Sequence, residues 1–243
     1  MNELVILTIE QIRNDNEKVL FHLVILKNDK EMVLVDCGFP GFLSQIKESA
    51  MAQNVDIANL TKVVITHQDI DHTGSLMELK RAFPSIQILA ETKEIPYING
   101  EKERIKAKKL REMYDSLPES QQEMVQAMQR LYSTYEPVEV DGVIRDHDIF
   151  PWCGDVEIIS TPGHTPGHIS LYLHEFKTLI AGDALFLQDG ELVISIPMFT
   201  FDMEQARQSV KKLLDYDIEK IICYHGGVYE SDIKEALKKI SMS

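Results

Sequence analysis

The run THQDIDHTG at residues 66–74 constrains this chain more than any other feature. It follows the apolar, β-branched run KVVI at residues 62–65, which predicts a short buried strand. Four polar residues therefore stand within six positions at the end of one strand: His67, Asp69, Asp71 and His72. Neighbouring carboxylates repel each other unless a proton or a cation lies between them. Imidazole and carboxylate without a thiolate suit zinc, manganese or iron, so the run predicts a metal site.

Three more polar residues follow apolar runs elsewhere in the chain. His164 lies in STPGHTPGH after DVEIIS, Asp183 ends LIAGD, and His225 ends IICYH. Strand ends at one edge of a core are where a rigid scaffold presents side chains to a site. His168 is predicted to hold the loop that carries His164. The first cluster leaves two conformations open: an extended backbone would direct alternate residues to one side, and a tighter loop would divide them between two centres.

These seven residues resemble the signature of the metallo-β-lactamase superfamily, which is His-x-His-x-Asp-His followed by a distant His, an Asp and a final His. Order and spacing agree from the first strands to His225. The resemblance implies a four-layer αββα sandwich of the α+β class, with two divalent metal ions between the sheets. It gives three residues to each ion and makes Asp183 the bridge. The first ion takes His67, Asp69 and His164. The second ion takes Asp71, His72 and His225.

One position departs from that signature, because Asp69 stands where the family has its second histidine. Carboxylate is a harder ligand than imidazole, which tilts the first position toward manganese or iron, although zinc remains our first expectation for both ions. Our hypothesis is that the extra negative charge makes the ions weaker Lewis acids and the hydroxide that bridges them more basic.

Apolar alternation predicts strands on both sides of a helical stretch. A hairpin of residues 19–27 and 31–36 turns at residues 28–29, and the second half predicts strands that include VEVD at 138–141 and ELVISI at 191–196. Such a pattern predicts two sheets packed face to face with helices outside, in one domain over residues 1–243. Residues 91–136 predict two amphipathic helices broken at Pro118, an insertion that either packs as a helical hairpin or covers the site as a lid.

The resemblance implies hydrolysis of a small-molecule lactone, ester or thioester by a metal-bridging hydroxide, with Asp71 orienting that nucleophile and passing its proton to the leaving group. Related lactonases carry a tyrosine three residues after the bridging aspartate, and that position is Phe186 here. We therefore consider Phe186, Phe199 and Tyr224 as pocket residues. Tyr224 could donate to the oxyanion in place of that tyrosine, although its position next to His225 on a strand favours a side chain that points away. A diiron oxidoreductase related to flavo-diiron proteins, which also replace the second histidine by a carboxylate, is an alternative, as is a phosphodiesterase.

The composition limits the binding partners and the cellular compartment that we expect for this chain. Among 243 residues, 39 are Asp or Glu and 25 are Lys or Arg, which gives a formal net charge of −14. Such a surface repels nucleic acid and anionic membranes, so we expect a small-molecule substrate, with a homodimer left open. The three cysteines at positions 37, 153 and 223 are a poor disulfide framework, which favours a cytoplasmic location.

Overall fold

The computed structural model describes residues 1–12 and 18–242, in which two six-stranded sheets form. The first sheet contains, in chain order, β1 to β6: Glu3–Ile12, Lys18–Lys27, Met32–Val35, Lys62–Ile65, Gln87–Glu91 and Gly142–Ile144. Strands β1, β2 and β3 pair antiparallel, and β3, β4, β5 and β6 pair parallel. The predicted hairpin is confirmed as β2 and β3, and its turn closes because Asn28 Oδ1 accepts hydrogen bonds from the backbone N–H groups of Lys30 and Glu31.

The second half of the chain supplies the second sheet and a small separate hairpin. The strands β7 to β14 are Ile149–Phe150, Val156–Ser160, Ile169–Leu173, Thr178–Gly182, Phe186–Gln188, Glu191–Val193, Lys220–Cys223 and Gly227–Tyr229. The sheet order is β14-β13-β10-β9-β8-β7, with β10 parallel to β13 and the other pairs antiparallel. Strands β11 and β12 pair with each other outside this sheet.

The strand predicted for VEVD at residues 138–141 was wrong, because β6 begins only at Gly142. The segment reaches the sheet edge through a single residue. The Asp141 backbone N–H donates to Ile88 O, and the Asp141 carboxylate accepts the Ile88 N–H at 2.8 Å. The predicted strand over residues 191–196 is likewise shorter, since β12 ends at Val193.

Helices cover the two outer faces of the sheets. In chain order α1 to α8 are Leu43–Ala52, Ile70–Thr73, Leu76–Ala82, Ile95–Ile98, Ile105–Met113, Glu119–Ser133, Met203–Lys212 and Ile233–Met242. Three of them, α4, α5 and α6, lie within residues 91–136, and the break between α5 and α6 falls at Pro118, which caps the start of α6. Among the described residues, none of the helices combines the length and apolarity that crossing a bilayer requires.

Alternation along the strands produces three hydrophobic layers. On β2, Val24 and Leu26 point into the layer between the sheets, where they meet residues such as Leu171 of β9. Leu23 and Ile25 point the other way, into the layer beneath α1 and α3. The outer face of the second sheet packs against α7 and α8. The order helix, sheet, sheet, helix is therefore the predicted αββα sandwich.

Strand ends that carry polar residues meet at one edge of the sandwich. Strand β4 of the first sheet and strands β8, β10 and β13 of the second each end there. Gly182 ends β10 with a φ of +54°, and a Cβ at this position would lie 2.8 Å from His168 Nε2. Gly163 has a φ of +139°, and its Cβ would lie 2.4 Å from the Ala206 backbone. Glycine at both positions lets the neighbouring Asp183 and His164 approach this edge. The three cysteines are buried free thiols.

We expect the layer between the sheets to carry much of the stability. Leu171→Ala removes a side chain that is 0% exposed, and it should lower the free energy of unfolding by about 2–5 kcal/mol, since it leaves a cavity. The control Leu20→Ala makes the same change on β2 at a side chain that is 40% exposed. It should change the free energy of unfolding by about 0.5 kcal/mol or less. Urea denaturation measures both. Equal losses in the two variants would contradict the layered core.

Candidate metal centre

The first cluster folds as a tight turn into a helix rather than as extended backbone. Asp69 is the residue before α2, with φ −61° and ψ 148°, and its carbonyl accepts the backbone N–H groups of His72 and Thr73. Asp71 and His72 are already helical. Because the backbone changes direction here, the carboxylates of Asp69 and Asp71 join two different groups of ligand-type atoms. Of the two conformations left open by the sequence, the structure contains the tighter loop that divides the carboxylates.

The first group of ligand-type atoms is buried and compact. His67, Asp69, His164 and Asp183 offer ligand atoms that all lie within 4.8 Å of one another. Asp69 Oδ2 lies 3.1 Å from His67 Nε2 and 3.0 Å from His164 Nε2. Three elements that are distant in sequence therefore converge here: the end of β4, the loop after β8 and the end of β10.

The second group is more accessible. It consists of Asp71, His72 and His225, whose ligand atoms also lie within 4.8 Å of one another. Asp71 Oδ2 lies 3.2 Å from His225 Nε2 and 3.8 Å from His72 Nε2. His72 is fully buried, whereas the side chains of Asp71 and His225 are 18% and 23% exposed. The open side of this group faces the cavity described below.

Asp183 lies between the two groups, as the sequence resemblance implied for a bridging residue. Its Oδ1 is 3.2 Å from His72 Nε2 in the second group, and its Oδ2 is 3.3 Å from His164 Nε2 in the first. Oδ2 is also 3.7 Å from His225 Nε2. One carboxylate therefore faces both groups with different oxygens.

The donor atoms fit divalent metal ions. His72 Nε2 and Asp183 Oδ1 are buried and lack a hydrogen-bond partner, although they lie only 3.2 Å apart. Buried polar atoms are nearly always paired, so these two facing atoms need either a proton or a cation between them, and a divalent ion meets that need. The buried cluster of His and Asp residues is suited to divalent metals, and its chemistry alone does not select among zinc, manganese and iron.

A second layer of hydrogen bonds orients the imidazole rings. His72 Nδ1 lies 2.8 Å from Asp36 Oδ2, and Thr66 donates to both Asp36 oxygens through its backbone N–H and its hydroxyl. A carboxylate on Nδ1 fixes the tautomer whose Nε2 lone pair is free to coordinate. His168 is buried, and its Nε2 accepts the backbone N–H of Asp183 at 2.9 Å. His168 also contacts the loop that carries His164, as predicted, because its Nδ1 lies 2.8 Å from Thr161 Oγ1.

Burial and neighbouring charges set the protonation states. Burial by itself would raise the pKa of Asp69, but Lys106 and His67 hold it well below its ordinary value. Burial also opposes ionisation of Asp183, whose pKa is nevertheless held well below normal by His72 and His225. For His164, burial and then Lys106 lower the pKa to about 4. Ionised carboxylates and a neutral imidazole are the forms that bind a metal ion.

Lys106 is the main feature of the site that the sequence did not reveal. It lies on α5, and its Nζ donates to Asp69 Oδ2 and, at 3.0 Å, to His164 Nε2. The run EKERIKAKKL is rich in charge, and nothing local separates Lys106 from lysines on a solvated face. Asp36 was also missed, although it follows the apolar run MVLV as the other site residues follow theirs.

A cavity of about 300 Å³ opens directly onto both groups. Phe186 and Phe199 line it, and the Phe186 ring stacks on His225 at 5.2 Å between ring centroids. Other apolar lining comes from the helices α2, α5 and α6 and from the loops after β3 and β12: Phe39, Ile70, Leu110, Met113, Met128 and Met198. Tyr132 of α6 adds a hydroxyl-bearing ring to this wall.

Tyr224 lies behind the site, contrary to its prediction as a pocket residue. Its ring packs on His72 at 3.9 Å between centroids, and it is 3% exposed. Its hydroxyl donates to the carbonyl oxygen of Asp71. The hydroxyl proton of Tyr224 is therefore not free for a substrate. Just after β13, Tyr224 points into the layer beneath α1 and α3, while its neighbour His225 faces the cavity.

Comparison with known proteins agrees with this geometry. The sequence profile of the Metallo-beta-lactamase superfamily matches residues 19–225. The chain is 26% identical over 233 residues to the probable metallo-hydrolase YflN of Bacillus subtilis, with 86% of this chain and 82% of YflN covered. It is 31% identical over 172 residues to the hydroxyacylglutathione hydrolase GloC of Haemophilus influenzae, with 70% of each chain covered.

Solved structures share the same fold at lower identity. A metallo-beta-lactamase family protein of Thermus thermophilus superposes with a TM-score of 0.75 at 18% identity, over 98% of this chain and 78% of that one. An archaeal superfamily protein of Sulfolobus tokodaii gives a TM-score of 0.67 at 21% identity, over 98% and 86%. The profile match covers well over half of the chain and includes every residue of both groups. The chain therefore belongs to the metallo-beta-lactamase superfamily and is a metal-dependent hydrolase.

Proposed function

We propose that the chain hydrolyses the ester or thioester carbonyl of a small molecule, cyclic esters included, with two divalent ions held by the two groups. The single observation that carries this proposal is the position of the cavity. It joins the open side of Asp71 and His225 to a wall of phenylalanine, methionine and leucine side chains. A pocket with one polar end and apolar walls fits an acyl group whose carbonyl points at the polar end.

The relatives support a carbonyl substrate. GloC is named for hydroxyacylglutathione, which is a thioester, and it is among the more similar relatives at 31% identity. The formal net charge of −14 agrees with a small-molecule substrate rather than a nucleic acid. Zinc is our proposed metal, with manganese or iron as alternatives because Asp69 replaces a histidine.

Different groups at the site have different roles in the proposed reaction. When bound, the ions would acidify a water molecule and polarise the scissile carbonyl. Asp71 is accessible from the cavity, and in the proposed reaction its carboxylate orients the nucleophile and passes the proton of that nucleophile to the leaving group. Phe186 and Phe199 supply apolar surface for the acyl side. Helices α5 and α6 line one wall of the cavity, which supports the proposal that residues 91–136 act as a lid.

A substrate panel with controlled metal content tests this function. Protein stripped with a chelator should lose turnover, since its nucleophile depends on the ions, and refilling with zinc should restore it. Thioesters, esters and lactones should be hydrolysed faster than β-lactams and phosphodiesters when each is assayed with zinc, manganese or iron. Full activity after chelation, or turnover of phosphodiesters alone, would contradict the proposal. Bound iron with redox-dependent absorption and no hydrolysis would favour the oxidoreductase alternative.

Asp36 provides a second test, away from the substrate. Asp36→Asn should weaken metal binding by about 10–100-fold, because the carboxylate on His72 Nδ1 sets the ring tautomer and its basicity. The control Asp29→Asn makes the same change at an exposed turn. Titration of stripped protein with zinc, followed by calorimetry, measures both. Unchanged affinity in Asp36→Asn, with the variant folded by circular dichroism, would mean that His72 does not bind a metal.

A further inference from the structure

The two metal positions are not equivalent, because an ammonium group already contacts one of them. Lys106 Nζ donates to Asp69 Oδ2 and to His164 Nε2, which are two of the atoms of the first group. Among the described residues, no lysine or arginine makes a hydrogen bond or ion pair with Asp71, His72 or His225 of the second group. The second group instead holds the orphaned His72 Nε2.

The contact between Lys106 and His164 excludes a metal ion from the same nitrogen. A lysine ammonium is a donor only, so His164 Nε2 accepts from it through the one lone pair that the nitrogen has. A metal ion at the first position needs the same lone pair. Lys106 and an ion therefore cannot both be bound to His164 at once, and Lys106 must move away before that position can be filled.

The charge of Lys106 also opposes an ion at the first position. Its ammonium forms an ion pair with Asp69, so one of the carboxylates of the first group already has a cationic partner. A divalent ion placed beside the ammonium would be repelled by it in a buried site, which is costly unless the ammonium withdraws.

The insertion holds Lys106 firmly against the motif. The backbone N–H of Ile105 donates to Gln68 Oε1 at 3.0 Å, and Gln68 stands between His67 and Asp69 in the motif itself. Next to it, the guanidinium of Arg104 lies 3.7 Å from the Tyr135 ring centroid, at the end of α6. The Lys106 side chain is only 17% exposed. These contacts hold the start of α5 beside the first group, which places the Lys106 ammonium on Asp69 and His164.

We propose that Lys106 is an internal competitor for the first metal position, so that the chain binds one ion tightly at the second position and a second ion much more weakly at the first. This inference rests on the proposed function, which supplies the two positions. It assigns the lysine of α5, together with Asp69, the role of setting metal stoichiometry. Filling the first position requires Lys106 to leave, which couples that position to the helices that cover the cavity.

Metal titration of the full chain tests the inference without any substrate. Stripped wild-type protein should bind one zinc ion tightly and a second at least about 10-fold more weakly, by calorimetry and elemental analysis. Lys106→Met keeps a side chain of similar length without the charge, and should raise the affinity for the second ion by on the order of 10-fold or more. Lys106→Arg should retain the weak second position.

The matched control is Lys109→Met, since Lys109 lines the same cavity from the next turn of α5 and donates to Met198 O instead of a site residue. It should titrate like the wild type. Asp69→Asn should abolish the weak ion and keep the tight one. As a check that uses no variant, acylation of wild-type lysines followed by mass spectrometry should show Lys106 becoming more reactive only when the second equivalent of zinc is added.

The outcomes separate the two proposals. Two ions of equal affinity in the wild type, with no change in Lys106→Met, would overturn the role of Lys106 and leave the proposed function standing. An unchanged reactivity of Lys106 across the titration would do the same. Absence of any bound ion in the wild type and in Lys106→Met would overturn the proposed function as well.

Discussion

Repulsion among buried carboxylates is the constraint on which the rest of this structure depends. Asp69, Asp71 and Asp183 are brought to one edge of the sandwich from strands in both sheets, and Asp69 and Asp183 are almost fully buried. Ionised carboxylates in such a place are strongly unfavourable unless cations and hydrogen-bond donors surround them. Histidine rings, the Lys106 ammonium and divalent ions are the groups that can stabilise these carboxylates.

The sandwich makes that arrangement rigid. The cluster residues follow strands β4, β8, β10 and β13, so each is placed by a ladder of backbone hydrogen bonds. Buried Glu94 joins two of these loops, because it accepts the backbone N–H groups of Gln68 and Gly167. The same Gln68 holds the start of α5. The insertion, the motif and the His164 loop therefore form one connected network, in which the position of α5 and the charge of the first group depend on each other.

Most strands and the candidate metal ligands could be predicted from the sequence, and the predictions that failed did so for physical reasons. Apolar alternation indicated the strands because burial on one or two faces leaves a period in the sequence. VEVD failed because alternation cannot tell a strand from a segment that touches the sheet edge through Asp141 alone. The seven candidate ligands were identified because they match a family signature as well as following buried strands, whereas Asp36 follows a strand but lies outside that signature. Lys106 could not be found, since its role arises from the packing of α5 against Gln68. Tyr224 was considered for the pocket, but its position next to His225 on a strand already indicated the opposite orientation, which the structure contains.

Anomalous X-ray scattering at the zinc edge, on crystals of stripped protein soaked in zinc, tests the central claim most directly. The account predicts an anomalous peak roughly 2.0–2.2 Å from His72 Nε2 and from a carboxylate oxygen of Asp183. At low zinc this peak should be the stronger of two, with the position beside His164 weaker. Absence of a peak at His72 and Asp183, with these side chains paired to other protein groups instead, would contradict the account.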